Sequence, residues 1–370
     1  MSGKIAVCYH KTMPVVQNEV LTPILLNARN NSIPGFLYTD DMGDNISDKN
    51  PTYCELTALY TIWKNDIWVD TDYIGLFHYR RILSLNEKLN NRLPDYDLFE
   101  INELNDEYSK YGLTKQQIDQ CMMSFDVLLP KLKLFPTNIY TQYAESKDHH
   151  SEHIDYALEY ISQHNEDYIQ SAQAILTGNE ISLYNMFVMH VSLFRQYCEW
   201  LFPLLQYVES KVDTTTFNTQ ELRYIGFLTE RLFNVFIHHQ KTLKSLRIGY
   251  FPVLQSNYES TNADLQQLLK TTNEVVVFGT GVYATKMISM MSNQIICFMD
   301  NNSDLQSFAD KQVYTPAEYQ SRYQKSYPIL ICSSYDQEIS QQLSSMGYEQ
   351  NKDYFKLDTS YFIEQAATSL

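Results

Sequence analysis

Short runs of apolar residues recur along this chain, and most of them stop at a polar or glycine-rich cluster. KIAVCYH (4–10), DYIGLFHYRR (72–81), FDVLLPK (125–131) and EVVVFGTG (274–281) have this form. A run of this length with few polar interruptions suits a strand buried on both faces, as in a parallel sheet covered by helices. GFLYT (35–39) and LYNMFVMH (183–190) read as further strands. Between them the pattern turns helical. PTYCELTALYTIWKN places apolar residues at 53, 56, 59, 60 and 63, with Pro51 in the first turn after Asn50. EVLTPILLNARNN (19–31) is also expected to be helical, as are FRQYCEWLFPLLQYVES and TQELRYIGFLTERLFNVFIHH. Strands alternating with helices predict an α/β fold with a mainly parallel sheet.

A chain of 370 residues exceeds one ordinary core. The polar stretch QSNYESTNADLQQLLKTTNE (255–274) separates two α/β patterns, so domains are expected at residues 1–255 and 271–370. In the second, EVVVFGTGVYATKMISMM and IICFMDNN give strand, glycine turn, helix and strand, a small Rossmann-like unit. The turn fits G-x-G-x-x-A through Gly279 and Gly281, with Asp300 ending the next strand, which marks a candidate nucleotide site.

Charge narrows the partners. With 44 acidic against 28 basic residues the net charge is −16, which excludes the broad basic footprint of nonspecific nucleic-acid binding. The six cysteines, at 8, 54, 121, 198, 297 and 332, approach no C-x-x-C spacing and suit a reducing cytosol. The first residues show no signal-peptide core, and no apolar stretch reaches the roughly 18 residues of a membrane span. A cytoplasmic protein is expected, with peripheral association at the inner membrane face left open. The 29 tyrosines suit either sugar stacking or core packing.

Against this acidic background, two adjacent arginines at a strand end stand out. In open α/β sheets ligands bind beyond the carboxyl ends of strands. Three clusters lie there: His10 and Lys11, Asp40 and Asp41, and His78 with Arg80 and Arg81. Paired arginines present forked, permanently charged donors to a diphosphate. The competing reading is an internal ion cluster of Arg80 and Arg81 with Asp40, Asp41 and Asp44. The DDMGDN loop is either a turn or, through Asp41 and Asp44, ligands for Mn²⁺ or Mg²⁺. In DHHSEH (148–153), His149 and His153 share a helical face, a metal or general-base geometry unless the cluster is an inert surface one, and His150 is a candidate base. Glu180, before an apolar strand, is the first choice as the base that deprotonates a hydroxyl; Glu230 is the next, unless it merely pairs with Arg223 or Arg231.

The stretches KIAVCYHK, DDMGDNISDKNPTYCELTALYTIWKN, DYIGLFHYRR, YNMFVM, CEWLFPLL and RYIGFLTERLFNVF resemble a bacterial family spanning about residues 3–240. Its members are glycosyltransferases of capsule, exopolysaccharide and O-antigen loci, long catalogued as a domain of unknown function. The resemblance implies a GT-A-like fold, a UDP-sugar donor and a lipid-linked oligosaccharide acceptor, with galactosyl or galactofuranosyl transfer among its activities. GT-A enzymes usually carry Asp-x-Asp at the end of a central strand to hold a cation against the diphosphate. Here HYRR stands at the corresponding place, which implies that Arg80 and Arg81, with His78, take over the cation's role. Asp40 or Asp41 would then contact the nucleoside or sugar. The tail resembles small Rossmann-like domains appended to polysaccharide-synthesis proteins. Two alternatives stay open: an NAD(P)-dependent sugar-modifying enzyme working through the tail, and a noncatalytic scaffold of polysaccharide assembly.

Overall fold

The computed structural model describes residues 1–93, 97–101, 108–256, 272, 274–281, 284–285, 288, 291–333 and 335–356. Contacts divide the chain into two units, one of Met1–Asn90, Tyr96–Leu98 and Leu104–Gln255, the other of Asn91–Asp95, Phe99–Glu103 and Ser256–Leu370.

In the first unit, strand β1 (Gly3–Tyr9) lies at the centre of the sheet, parallel to β2 (Leu21–Leu25) on one side and β4 (Tyr73–His78) on the other. Every residue from Ile5 to Tyr9 and from Tyr73 to Phe77 is buried, as two-sided coverage requires. Gly75 allows close packing, since a Cβ there would fall 2.8 Å from the Phe187 carbonyl oxygen and 2.9 Å from Ile5. A two-residue strand, β3 (Tyr38–Thr39), extends the sheet beyond β2. On the other side follow β7 (Phe187–His190), β6 (Val127–Pro130) and β8 (Ile248–Phe251). Of these β7 alone runs antiparallel to its neighbours, β4 and β6. Strand β5 (Arg81–Leu83) turns back from β4 and pairs with β9 (Val253–Ser256).

Helices α1 (Asn50–Tyr53), α2 (Leu56–Lys64), α3 (Glu152–His164), α4 (Ile169–Thr177), α5 (Val191–Lys211) and α6 (Tyr224–Leu243) supply much of the core. Their apolar faces interlock through aromatic rings: Trp63 stacks on Phe202 at 5.4 Å, and Tyr197 meets Phe233 and Phe236 at 5.0 and 5.1 Å. Tyr53, Tyr73, Tyr143, Tyr197 and Tyr224 are fully buried, so much of the tyrosine content serves the core.

Two local expectations fail for identifiable reasons. The segment at 19–31, expected to be helical, contains β2 instead. Pro23 opposes a helix interior, but its missing N–H costs nothing here. Leu26 donates to Tyr9 on β1 and Leu25 accepts from Asp40, so by alternation Pro23 faces the β3 side, where pairing reaches only Ile24 and Leu25. The helix expected over 51–65 is broken at Cys54, which takes φ 50° and ψ −129° and separates α1 from α2.

The second unit is a parallel α/β sheet. Its strands are β10 (Val275–Phe278), β11 (Ile295–Met299), β12 (Ser307–Phe308), β13 (Lys311–Tyr314), β14 (Ile329–Ile331) and β15 (Tyr354–Lys356). They lie in the order β12-β13-β11-β10-β14-β15, all parallel except β12. Helices α7 (Pro316–Tyr323), opened by a Thr315–Glu318 capping box, and α8 (Asp336–Ser345) connect them.

Candidate functional site

The register of β1 against β4 sets Cys8 beside His78, so the chain leaves both strands at one place. After β4 the backbone makes a tight reversal in which His78 pairs with Arg81, and the Tyr79 amide donates to the Cys8 carbonyl at 3.0 Å. HYRR is thus a turn fixed to the central strand. The buried Tyr79 ring supports two cationic groups, Arg80 at 5.4 Å and Lys11 at 5.8 Å, and meets the edge-on His10 ring at 5.1 Å. Arg81 donates through Nε to Gln255 Oε1 at 2.8 Å and lies 4.9 Å from the Tyr184 ring. His78 donates through Nε2 to the Tyr184 carbonyl at 2.7 Å, because a carbonyl can only accept.

These groups line a cavity of about 630 Å³. Its other walls come from Asn27 beyond β2, from Asn50, Pro51, Cys54 and Glu55 at the α1–α2 break, and from Thr219, Leu222 and Arg223 before α6. Tyr184 and Glu230 complete it. Tyr184 and Asn185 both occupy the left-handed region, with φ 75° and 50°. Carboxylates hold this unusual backbone: Glu230 Oε1 accepts from the Tyr184 amide at 2.9 Å, and Glu55 Oε1 accepts from Asn185 Nδ2 at 2.6 Å. Strained residues that the surroundings over-determine concentrate at ligand sites.

Four fixed cations, Lys11, Arg80, Arg81 and Arg223, face two carboxylates, Glu55 and Glu230. Among the described residues, no carboxylate lies within ion-pair distance of Arg80, Arg81 or Arg223. The cavity is therefore cationic in a chain of net charge −16, a setting that selects anions. Titration follows from the same arrangement. Burial first, then the charges of Lys11, Arg80, Arg223 and His78, hold His10 below its ordinary 6.5. Burial pushes the Glu230 carboxyl up against the pull of Arg231 and the Tyr184 amide. Burial lowers Arg81, with Arg80 adding to it.

Of the residues proposed from the sequence as catalytic, donor-binding or metal-binding, His10, Lys11, His78, Arg80, Arg81 and Glu230 meet at this cavity. The other candidates of those kinds lie outside its lining. Asp40 is fully buried and accepts from the Asn27 and Ala28 amides at 2.8 and 2.9 Å and from Ser47 and Thr57 hydroxyls at 2.7 and 2.5 Å. Its expected contact with a nucleoside is thus replaced by a structural task, fastening the segment that carries Asn27. The internal ion cluster of Arg80 and Arg81 with Asp40, Asp41 and Asp44 does not form. Asp41 accepts from Thr39, and Asp44 faces the Tyr60 hydroxyl at 3.4 Å. Among the described residues no three His, Cys, Asp or Glu side chains gather as metal ligands.

Glu180 is exposed on a two-residue strand paired antiparallel with the distant Lys133–Leu134. His150 bonds Glu221 at 3.1 Å and stacks on Phe217. His153 is buried against Tyr143 and Tyr224. Glu230 pairs with Arg231 at 2.9 Å, not with Arg223. In the second unit, Gly279 takes φ 115°, and a Cβ there would fall 2.6 Å from the Cys332 carbonyl oxygen. Gly281 faces open space, and Asp300 accepts from Thr280 Oγ1 at 2.6 Å and the Asn302 amide at 2.9 Å.

Sequence reasoning missed Glu55 and treated Arg223 only as a partner for Glu230. Glu55 stands in a convincing helical pattern, and nothing in that pattern marks the break that exposes it. Arg223 reaches the cavity from a segment about 140 residues beyond HYRR, a pairing that only the fold reveals.

The family model described as a domain of unknown function (DUF4422) matches residues 4–241, and one described as C2185-like, N-terminal, matches residues 271–353. Among solved structures the chain is similar to that of the WbbM bifunctional glycosyltransferase in its apo form, with a TM-score of 0.66 and 26% identity. The similarity covers 98% of this chain and 60% of that one, so the chain spans less than two thirds of that neighbour's length. No curated protein matches. The fold class is accordingly α/β, with a GT-A-like first unit and a second α/β unit.

Proposed function

The chain belongs to the DUF4422 family, whose model takes in residues 4–241, and from that premise we propose that it is a glycosyltransferase using a UDP-sugar donor. The observation that carries this reading is the HYRR turn: two arginines at the end of the central strand, in a cavity, with no carboxylate partner among the described residues. Taking two adjacent guanidinium groups out of bulk water costs free energy that an anionic ligand would offset. A diphosphate supplies the charge and the paired oxygen geometry that guanidinium forks recognise.

In this reading Arg80, Arg81 and Arg223 bind the donor diphosphate and stabilise the charge that grows on it as the glycosidic bond to phosphate breaks. This is the task a divalent cation performs elsewhere. Lys11 extends the cationic wall, with the His10 ring beside it. The Asp41–Asp44 loop would supply at most two carboxylates to Mn²⁺ or Mg²⁺, each already engaged by a hydroxyl, so diphosphate binding is proposed to need no metal.

A galactosyl or galactofuranosyl group passed to a lipid-linked oligosaccharide in capsule or exopolysaccharide synthesis is the proposed transfer. It would occur in the cytoplasm at the inner membrane face. No helix among the described residues is long and apolar enough to cross a membrane, and peripheral contact with such an acceptor is proposed.

Calorimetric titration with UDP in the presence of EDTA, repeated with Mn²⁺ and on Arg80→Ala/Arg81→Ala, tests the reading. Metal-independent binding that the double variant loses is expected. Binding that needs Mn²⁺ and survives the substitutions would move the diphosphate elsewhere and refute the arginine assignment.

A further inference from the structure

The proposed reaction needs a group to take the acceptor's proton, and the cavity offers few. Glu230 has both oxygens engaged, by the Tyr184 amide and by Arg231. Glu180 and His150 lie outside the lining. His10 lies among Lys11, Arg80, Arg223 and His78, whose charges oppose its taking up a proton. His78 is tied through Nε2 to the Tyr184 carbonyl.

Glu55 differs from all of these. Half-buried in the cavity wall, it uses Oε1 to accept from Asn185 and leaves Oε2 without a protein donor among the described residues. The backbone before it is built to aim it. Cys54, at φ 50° and ψ −129°, stops α1, and its carbonyl is pinned by Asn50 Nδ2 at 2.8 Å and Thr57 Oγ1 at 3.0 Å. The chain then restarts as α2 with Glu55 at its N-terminal boundary. A non-glycine residue in that conformation costs on the order of 1–3 kcal/mol, and such strain collects where a side chain must be positioned for function.

Resting on the transferase reading, we infer that Glu55 is the general base of the reaction. The acceptor hydroxyl gives its proton to Glu55 Oε2 while its oxygen bonds to the anomeric carbon of the donor. The bond from that carbon to the phosphate oxygen breaks, and its electron pair leaves on UDP, facing Arg80, Arg81 and Arg223. This single displacement inverts the anomeric centre. The titratable and charged groups facing Glu55 are Arg81, Arg223, Glu230, Cys8, Cys54 and Tyr197. Arg81 and Arg223 face the carboxylate with opposite charge from beyond ion-pair distance, so Asn185 fixes one oxygen and neither arginine occupies the other.

Glu55→Gln in the full chain is the test, because the amide oxygen still accepts from Asn185. UDP-galactopyranose and UDP-galactofuranose serve as donors, with methyl galactoside and water as acceptors; UDP release and UDP affinity are both read. The expected result is turnover lowered by about 10²- to 10⁴-fold, UDP affinity within about threefold, and loss of the acid limb of the kcat/KM profile. Product NMR should show an inverted anomeric configuration. Turnover within about threefold of wild type, retention of configuration, or loss of UDP binding in the variant would overturn the role of Glu55 alone. Wild-type protein that binds no UDP or turns over neither donor would instead overturn the transferase reading.

Discussion

Replacing Arg80 by alanine should separate ligand binding from stability, because the structure gives this side chain so little else to do. Its recorded partner is the Tyr79 ring at 5.4 Å, a contact of about 0.5–1 kcal/mol. Against that loss stands relief of repulsion, since the Arg80 charge bears on both Arg81 and His10. The two effects oppose, so unfolding stability should move by less than about 1 kcal/mol. UDP binding should respond far more. A hydrogen bond to a charged group is worth about 1.5–3 kcal/mol, or about tenfold to 150-fold in Kd. Arg80→Lys, which keeps the charge but not the fork, should recover part of the loss. Calorimetry at two salt concentrations, with thermal unfolding of the same samples, measures both quantities, and the wild type should show the steeper salt dependence. Affinity unchanged within threefold, or a loss of stability as large as the loss of binding, would show that Arg80 serves the fold and not the diphosphate.

Further predictions concern protons and anchoring. An anion in the cavity should raise His10 from its depressed value, so binding takes up protons near and below pH 6.5. Calorimetry in buffers of different ionisation enthalpy should detect that uptake in the wild type and less of it in His10→Gln. His153 is fully buried and held at about 4 by burial and by neighbouring His150 and His149. Its stabilising contribution is complete above pH 6.5 and is lost as pH falls toward 4, by about 3 kcal/mol in order of magnitude. Denaturant unfolding across that window should fall less steeply for His153→Leu than for wild type. Asp40→Ala strands four donors and should cost about 3 kcal/mol or more in thermal or denaturant unfolding. A cost below about 1 kcal/mol would show that Asp40 does not anchor the Asn27 segment.

Which parts of this were legible in the sequence follows from the range of the interactions involved. The buried strands announce themselves because coverage on both faces leaves few polar positions, as at Ile5–Tyr9 and Tyr73–Phe77. The HYRR turn was legible as well, since charge at a strand end is a local pattern. Segment 19–31 misled because its apolar residues match a helical face as well as a strand, and only the ladder beside Pro23 decides between them. Asp40 misled for a different reason. Asp-Asp-Met-Gly-Asp looks the same whether its first carboxylate serves a ligand or the backbone amides of Asn27 and Ala28. Glu55 was hidden by the helix pattern around it, and its role emerges from the left-handed Cys54 before it and from Asn185, 130 positions later in the chain.

A crystal structure of the protein with UDP, grown in EDTA, would show whether the cavity at HYRR receives the diphosphate of a nucleotide sugar. Phosphate oxygens are expected within hydrogen-bond distance of the Arg80 and Arg81 guanidinium groups, with Arg223 closing from the other wall. A diphosphate seated instead at the Asp41–Asp44 loop, or in the second unit beside Gly279 and Asp300, would contradict that placement.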